Sequence, residues 1–221
     1  MRTRPAQAWR VFLFLEWAFP MSHFWDQNFS VPGYKYGTAP NTFLAGQAHR
    51  IAAAGKVLVP GDGEGRNSVW LAQQGCQVTA MDASEVGLQK ALTLAAERGV
   101  AVQTVWGDLA EWAPAPGQFD AVVLIYVHLP EPIRLGAHRR LAAALRPGGW
   151  LLLECFHPGQ LARSSGGPKD ESMLYTPAML DADFAGLLEP EMAWDGETLL
   201  SEGPGHQGLA HVTRWIGRMP R

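Results

Sequence analysis

The chain has 221 residues, 47% hydrophobic and 18% charged, which is enough apolar material for a packed core and too little charge for a disordered chain. The formal net charge is −3 and the arginines are scattered, so no clustered basic face advertises nucleic-acid binding. Cys76 and Cys155 stand far apart in apolar surroundings, form neither a disulfide framework nor a metal motif, and fit a reducing cytoplasm.

Residues 1–20 are judged apart from the rest. Arg2 and Arg4 precede the apolar run Val11–Phe19, as in a secretion signal. Glu16 interrupts the run, no small-x-small cleavage site follows, and roughly 20 apolar residues are needed to span a bilayer. The segment reads as an over-called start, with Met21 as the natural one, or as a loosely attached helix; an interfacial anchor is the lesser alternative. Residues 21–221 are expected to form one domain without a stable membrane span, as a monomer or homodimer.

Residues 21–40 are aromatic and turn-rich, with Trp25, Tyr34 and Tyr36 among Pro32, Gly33, Gly37 and Pro40. Asn41 is placed to cap a helix through about Ala54, ended by Gly55. Strands and helices then alternate: strand 57–59, helix 66–74, strand 77–81, a Ser84-capped helix to about Arg98, strand 100–106, strand 119–125, helix 132–145, a turn at Pro147-Gly-Gly149 and strand 150–153. The near-continuous apolar run Phe119–Ile125 marks a central strand buried on both faces. Residues 157–176 form a Gly/Ser/Pro-rich loop, 177–187 a helix, and 191–200 with 209–218 a terminal antiparallel pair. The rhythm predicts an α/β, Rossmann-like fold: a mostly parallel sheet, helices on both faces, and the antiparallel pair at its edge.

The segment that carries chemistry is Val57-Leu-Val-Pro-Gly-Asp-Gly-Glu-Gly-Arg66, where Gly61, Gly63 and Gly65 alternate between a strand and a helix. A dinucleotide loop spaces its third glycine one residue later and avoids carboxylates beside a pyrophosphate. Asp62 and Glu64 suit instead a cationic sulfonium bearing an ammonium group. No Gly-Lys-Ser/Thr follows, so the Walker pattern is absent. Asp82 closes the second strand, where a carboxylate accepts both hydroxyls of a ribose. Asp108 follows the third strand, where it could face an adenine amino group. Each acid alone reads equally well as a cap or a loop carboxylate; three at consecutive strand ends point to one ligand.

With these residues in place, 56–155 resembles the core of class I S-adenosylmethionine-dependent methyltransferases. Gly61–Gly65 matches the glycine-rich motif, Asp82 the ribose acid, Gly107-Asp108-Leu109 the adenine segment, and Phe119–Val123 with Leu145–Gly149 the fourth and fifth strand motifs. The string Gly63–Ala72 followed by Gly75 is similar to bacterial tellurite-resistance methyltransferases, which, like thiopurine and thiol methyltransferases, act on small soft nucleophiles. The resemblance implies S-adenosylmethionine as cofactor, held by Gly61, Asp62, Gly63, Gly65, Arg66, Asp82, Ala83, Ser84, Asp108, Leu109 and Ile125, with no metal. One departure is that the family's acid two residues before the first glycine is Val59 here, and Asp62 is the candidate to anchor the methionine ammonium in its place.

The expected reaction is in-line methyl transfer to a small molecule such as a thiol, tellurite or selenite. Tyr126 and His128, after the fourth strand, are the catalytic candidates. Trp25, Tyr34 and Tyr36, together with His157, the Ser164–Pro168 loop and Tyr175, are candidates to close the site over cofactor and substrate. Two alternatives stand beside this reading: a non-catalytic cofactor-binding regulator, and an NAD(P)-dependent oxidoreductase, which the glycine spacing opposes.

Overall fold

The computed structural model describes residues 22–221, and the readings of residues 1–20 lie outside them. A helical segment over 22–29 (α1) leads into a turn-rich stretch and then α2, Thr42–Gln47. Asn41 caps α2, its side chain accepting from Leu44 N. The helix is shorter than the expected run to Ala54. It tightens into a 3-10 turn at Ala48–Arg50, and Ala54 takes a left-handed backbone, φ 61°, ahead of the first strand.

From there the alternation follows: β1 Lys56–Pro60, α3 Arg66–Gln73, β2 Gln77–Asp82, α4 Glu85–Glu97, β3 Gln103–Trp106, β4 Phe119–Ile125, α5 Glu131–Ala143, β5 Leu145–Phe156, α6 Pro177–Phe184, β6 Glu189–Glu202 and β7 His206–Arg218. The seven strands form one sheet in the order β3-β2-β1-β4-β5-β7-β6. β1 to β5 pair in parallel, and β7 runs antiparallel to β5 and to β6. Strand order reverses between β1 and β4, and the glycine-rich loop leaves β1 at that switch point, where open α/β sheets bind ligands.

Every residue of β4 is buried. Side-chain alternation splits the core into two layers. Leu58, Val122, Leu124, Leu151 and Leu153 pack with Leu141, Phe184 and Trp215 on one face. Val57, Val59, Val78, Val123 and Leu152 pack with Leu44, Val69 and Leu94 on the other. β5 is longer than its sequence suggests, because Pro147-Gly-Gly149 lies within the strand. Gly148 has φ 79° and donates its N–H to the Met219 carbonyl, Met219 N donates to the Gly149 carbonyl, and the β4–β5 register slips between Phe119 and Ala121 to absorb the irregularity. No described helix is long and apolar enough to cross a membrane.

Candidate active site

The loop Gly61–Gly65 turns through three positive φ values, 63°, 60° and 92° at its glycines. Gly65 is also the N-cap of α3, and a Cβ there would lie 2.6 Å from Ala91 of α4, so only glycine lets the two helices approach this closely. Asp82, at the carboxyl end of β2, is buried and accepts from Gly63 N and Ser84 N, both at 2.8 Å. Among the described residues no cation pairs with it, and burial lifts its carboxyl to about 6. Gly107 N donates to the Asp82 carbonyl at 3.1 Å, which sets Asp108 beside the same loop. Asp108 is half-buried, and its carboxylate accepts from Ala110 N at 2.8 Å in a local turn. Leu109, Ala83 and Ser84 line this end, Ser84 also capping α4.

The other two acids of the loop face protein. Both carboxylate oxygens of Asp62 take hydrogen bonds from Ser68, in the first turn of α3, and burial pushes its carboxyl up to about 7. It therefore caps α3 instead of standing free for an ammonium group, which corrects the sequence expectation. Glu64 accepts from Lys35 N at 2.7 Å and pairs with Lys90 at 2.8 Å, tying the stretch after α1 to α4. Arg66 is buried in an ion pair with Glu202 at 2.9 Å, with the Tyr36 carbonyl at 3.4 Å from its second amino group. It too faces a protein partner, not a cofactor.

The aromatic segment lies over the loop. Phe29 is buried against Gly63 and Gly87, and Trp25 stacks on it at 5.3 Å. Asp26 anchors α1 by accepting from Ser84 Oγ at 2.6 Å and from Val86 N at 3.3 Å. Tyr34 leans on α4, its hydroxyl donating to the Lys90 carbonyl at 3.4 Å. Tyr36 packs on His206, ring centroids 4.4 Å apart, and burial drives its phenol to about 12. The β6–β7 turn closes from the other side, where Gly205 N donates to the Lys35 carbonyl at 2.8 Å.

Tyr126 follows Ile125 at the end of β4 and is left-handed, φ 55°, a costly state for a bulky residue and one found where the surroundings impose it. Its ring sits between Phe156, at 4.7 Å, and His206, at 4.4 Å. The hydroxyl is buried with no hydrogen-bond partner among the described residues. Burial, then the Glu154 and Glu202 carboxylates, hold the phenol well above its ordinary value, so it stays an O–H donor at neutral pH.

Three other candidates have structural employment. The two ring nitrogens of His128 are both occupied: Nδ1 donates to the Met173 carbonyl at 2.6 Å and Nε2 accepts from Phe156 N at 3.3 Å. Burial lowers the ring to about 4, and it is positioned as a neutral strut, not as a base. Tyr175 is wholly buried in the core and its hydroxyl bonds both backbone groups of Leu129, so it is no flap. His157 caps the 3-10 turn Pro158–Ala162 and stacks on His211. In the 164–168 loop, Ser165 bonds Gln160 and Leu209.

Sequence reasoning passed over Glu154, Glu202, His206 and Arg214. Asn41 Nδ2 donates to Glu154 at 2.6 Å and Glu202 at 3.0 Å; Arg214 pairs with Glu154; His206 lies 3.8 Å from Glu202. Glu154 was discoverable, as the lone charge in the apolar β5 run Trp150–Phe156.

Residues 57–149 match the family described as "Methyltransferase domain". That family implies S-adenosylmethionine as cofactor. The chain is 37% identical over 110 residues to a trans-aconitate 2-methyltransferase of Paracidovorax citrulli, a match covering 47% of this chain and 40% of that protein. The chain thus spans less than half the length of this curated relative. Its fold is shared with a structure described by the conversion of a disulfide bond into a thioacetal group during echinomycin biosynthesis, at TM-score 0.75 and 18% identity, over 90% of this chain and 92% of the other. The N-methyltransferase NodS of Bradyrhizobium japonicum, in complex with S-adenosyl-L-homocysteine, superposes with TM-score 0.68 at 15% identity, over 90% of this chain and 98% of the other.

The residues of the site fit the implied cofactor. A buried carboxylate without a cationic partner is costly, and the hydroxyls of a ribose would add donors beside Gly63 N and Ser84 N.

Proposed function

We propose that the protein transfers a methyl group from S-adenosylmethionine to a small-molecule acceptor with a soft nucleophile, a thiol or a tellurite- or selenite-type oxyanion, in the cytoplasm. One observation carries this reading: Asp82 and Tyr126 stand at the carboxyl ends of β2 and β4, on either side of the glycine loop that leaves β1. Gly61, Gly63, Gly65, Asp82, Ala83, Asp108 and Leu109 hold the cofactor, and Ile125 with Tyr126 borders the acceptor. The cofactor supplies an already activated methyl group, so the protein's work is alignment and exclusion of water. Trp25, Phe29, Tyr34 and Tyr36 cover the loop, and aromatic faces suit a sulfonium.

The soft acceptor is supported by what the side chains are free to do. His128 has no nitrogen to spare and Tyr126 keeps its proton, so neither is poised to remove one. An acceptor that arrives as an anion needs no base. A second reading, an oxygen acceptor, is favoured by His206, whose buried Nδ1 has no hydrogen-bond partner among the described residues and whose ring touches Tyr126.

The test is methyl-group-labelled cofactor offered with a panel of thiols, tellurite, selenite, phenols and carboxylic acids. Transfer to the soft acceptors is expected; transfer confined to phenols or carboxylic acids would replace that acceptor class with the second reading. S-adenosylhomocysteine should raise the melting temperature. Stabilisation without transfer to any acceptor would leave a cofactor-binding regulator, and stabilisation by NADH alone would overturn the cofactor assignment.

A further inference from the structure

We propose that His157, Asp195 and His211 form a binding site for one divalent transition-metal ion of zinc-like chemistry, on the opposite sheet face from Tyr126. Three adjacent strands bring the ligands together. His157 follows β5, His211 lies on β7 and Asp195 on β6. His157 N donates to the His211 carbonyl at 3.1 Å, and Asp195 pairs with Thr213 in the β6–β7 register. Alternation along β7 puts His211 on the same face as Thr213, and hence as Asp195. Phe156, one residue before His157, points the other way, into the cluster with Tyr126. The site is therefore separate from the methyl-transfer site, and no ligand-spacing motif in the sequence announces it.

The donor atoms already converge. The three lie within 4.8 Å of one another, with His211 Nε2 2.9 Å and His157 Nε2 3.9 Å from Asp195 Oδ1. A tetrahedral ion with bonds of about 2.0–2.2 Å needs ligand atoms roughly 3.3 Å apart, between these two separations. Two imidazoles and one carboxylate form the three-ligand set that leaves a fourth position for water. Asp195 is exposed and both histidines are half-buried, so the ion can enter from solvent.

The surroundings hold both rings. His157 and His211 stack at 4.1 Å, and Gly159 lies so close to His211 that a Cβ there would collide with Nδ1. Gly159 N also donates to His157 Nδ1 at 3.0 Å. A neutral imidazole that ligates through Nε2 carries its proton on Nδ1, so loading the ion gives up this contact and loosens the 3-10 turn Pro158–Ala162. Ordinary His–Asp pairing would explain the 2.9 Å contact but would give no measurable zinc binding.

Isothermal titration of the full chain with Zn²⁺, and the visible absorption of added Co²⁺, decide between the two. One ion per chain is expected, with tetrahedral Co²⁺ bands, and His211→Ala or Asp195→Asn should weaken binding by at least about tenfold. His49→Ala should leave it unchanged. If His211→Ala proves poorly folded by circular dichroism, Asp195→Asn, on an exposed strand position, carries the comparison. Absence of stoichiometric binding, or equal affinity in wild type and Asp195→Asn, overturns the site. Neither readout depends on methyl transfer.

Discussion

Helix α3 begins at Gly65, which has no side chain with which to cap the first amides. Asp62 reaches forward and bonds Ser68 instead, so one tight loop both turns the backbone and caps the helix. Its neighbour in charge, Asp82, is left without a cation among the described residues. In the unfolded chain both acids ionise near 3.8; in the fold, burial raises them to about 7 and about 6. Between about pH 4 and 7 the folded state therefore binds more protons, and the stability linked to these groups is present at low pH and lost as pH rises through the folded values. Asp62→Asn, which can still accept from Ser68, should flatten the decline of urea-unfolding free energy between pH 5 and 8; an unchanged slope would show that Asp62 ionises normally. Asp82→Ala should weaken S-adenosylhomocysteine binding by about 1.5–3 kcal/mol, the worth of hydrogen bonds to a charged group, measured by titration calorimetry. Tyr126→Phe removes a hydroxyl with no partner among the described residues, so the melting temperature should hold or rise while turnover falls; a loss of stability with full turnover would make the tyrosine structural. The strand-end placement of Asp82 was readable from spacing, because a strand and a loop of known length dictate it. The employment of Glu64 and Arg66 was not, because their partners Lys90 and Glu202 are chosen by tertiary packing; that of Asp62 turns on the local bend of the loop that brings it to Ser68.

At the level of elements, β5 contributes both a buried core strand and a buried charge. Glu154, only 1% exposed, joins Asn41 ahead of α2 to Arg214 of β7. Arg214 is partly exposed, so Glu154→Ala leaves it and Asn41 without their acceptor and should cost about 1.5–3 kcal/mol in urea unfolding, the worth of hydrogen bonds to a charged group. Replacing Glu154 and Arg214 together by apolar residues should cost much less, and equal losses would argue against the coupling. The alternating α/β pattern and the terminal pair were legible from periodicity. The extent of β5 was not: Pro147-Gly-Gly149 carries turn chemistry, and only pairing with residues around Met219 keeps that stretch in the sheet. α2 was over-read in the same way, since its apolar face continues in sequence past the point where the backbone tightens.

For the whole molecule, the loop is enclosed by elements remote in sequence. α1 sits on it through Phe29 and Asp26, Glu64 clips the following stretch to Lys90, and the β6–β7 turn meets Lys35 and Tyr36. If this cover closes over bound cofactor, S-adenosylhomocysteine should slow proteolytic cleavage and amide exchange within residues 22–41 more than within β6. Equal protection of both would show stabilisation of the fold at large, and no preferential effect would remove the cover from the binding process.

The contact between Asn41 and Glu202 spans 161 positions of sequence. During synthesis, α1, the glycine loop and Asp82 emerge well before the residues that shut the far side. A ribosome must deliver the β6–β7 hairpin before Arg66 finds its counter-charge and Tyr36 its stacking partner. Pairings this distant are slow to form, and until they form the nascent chain holds an open crevice with a buried-to-be arginine exposed to water.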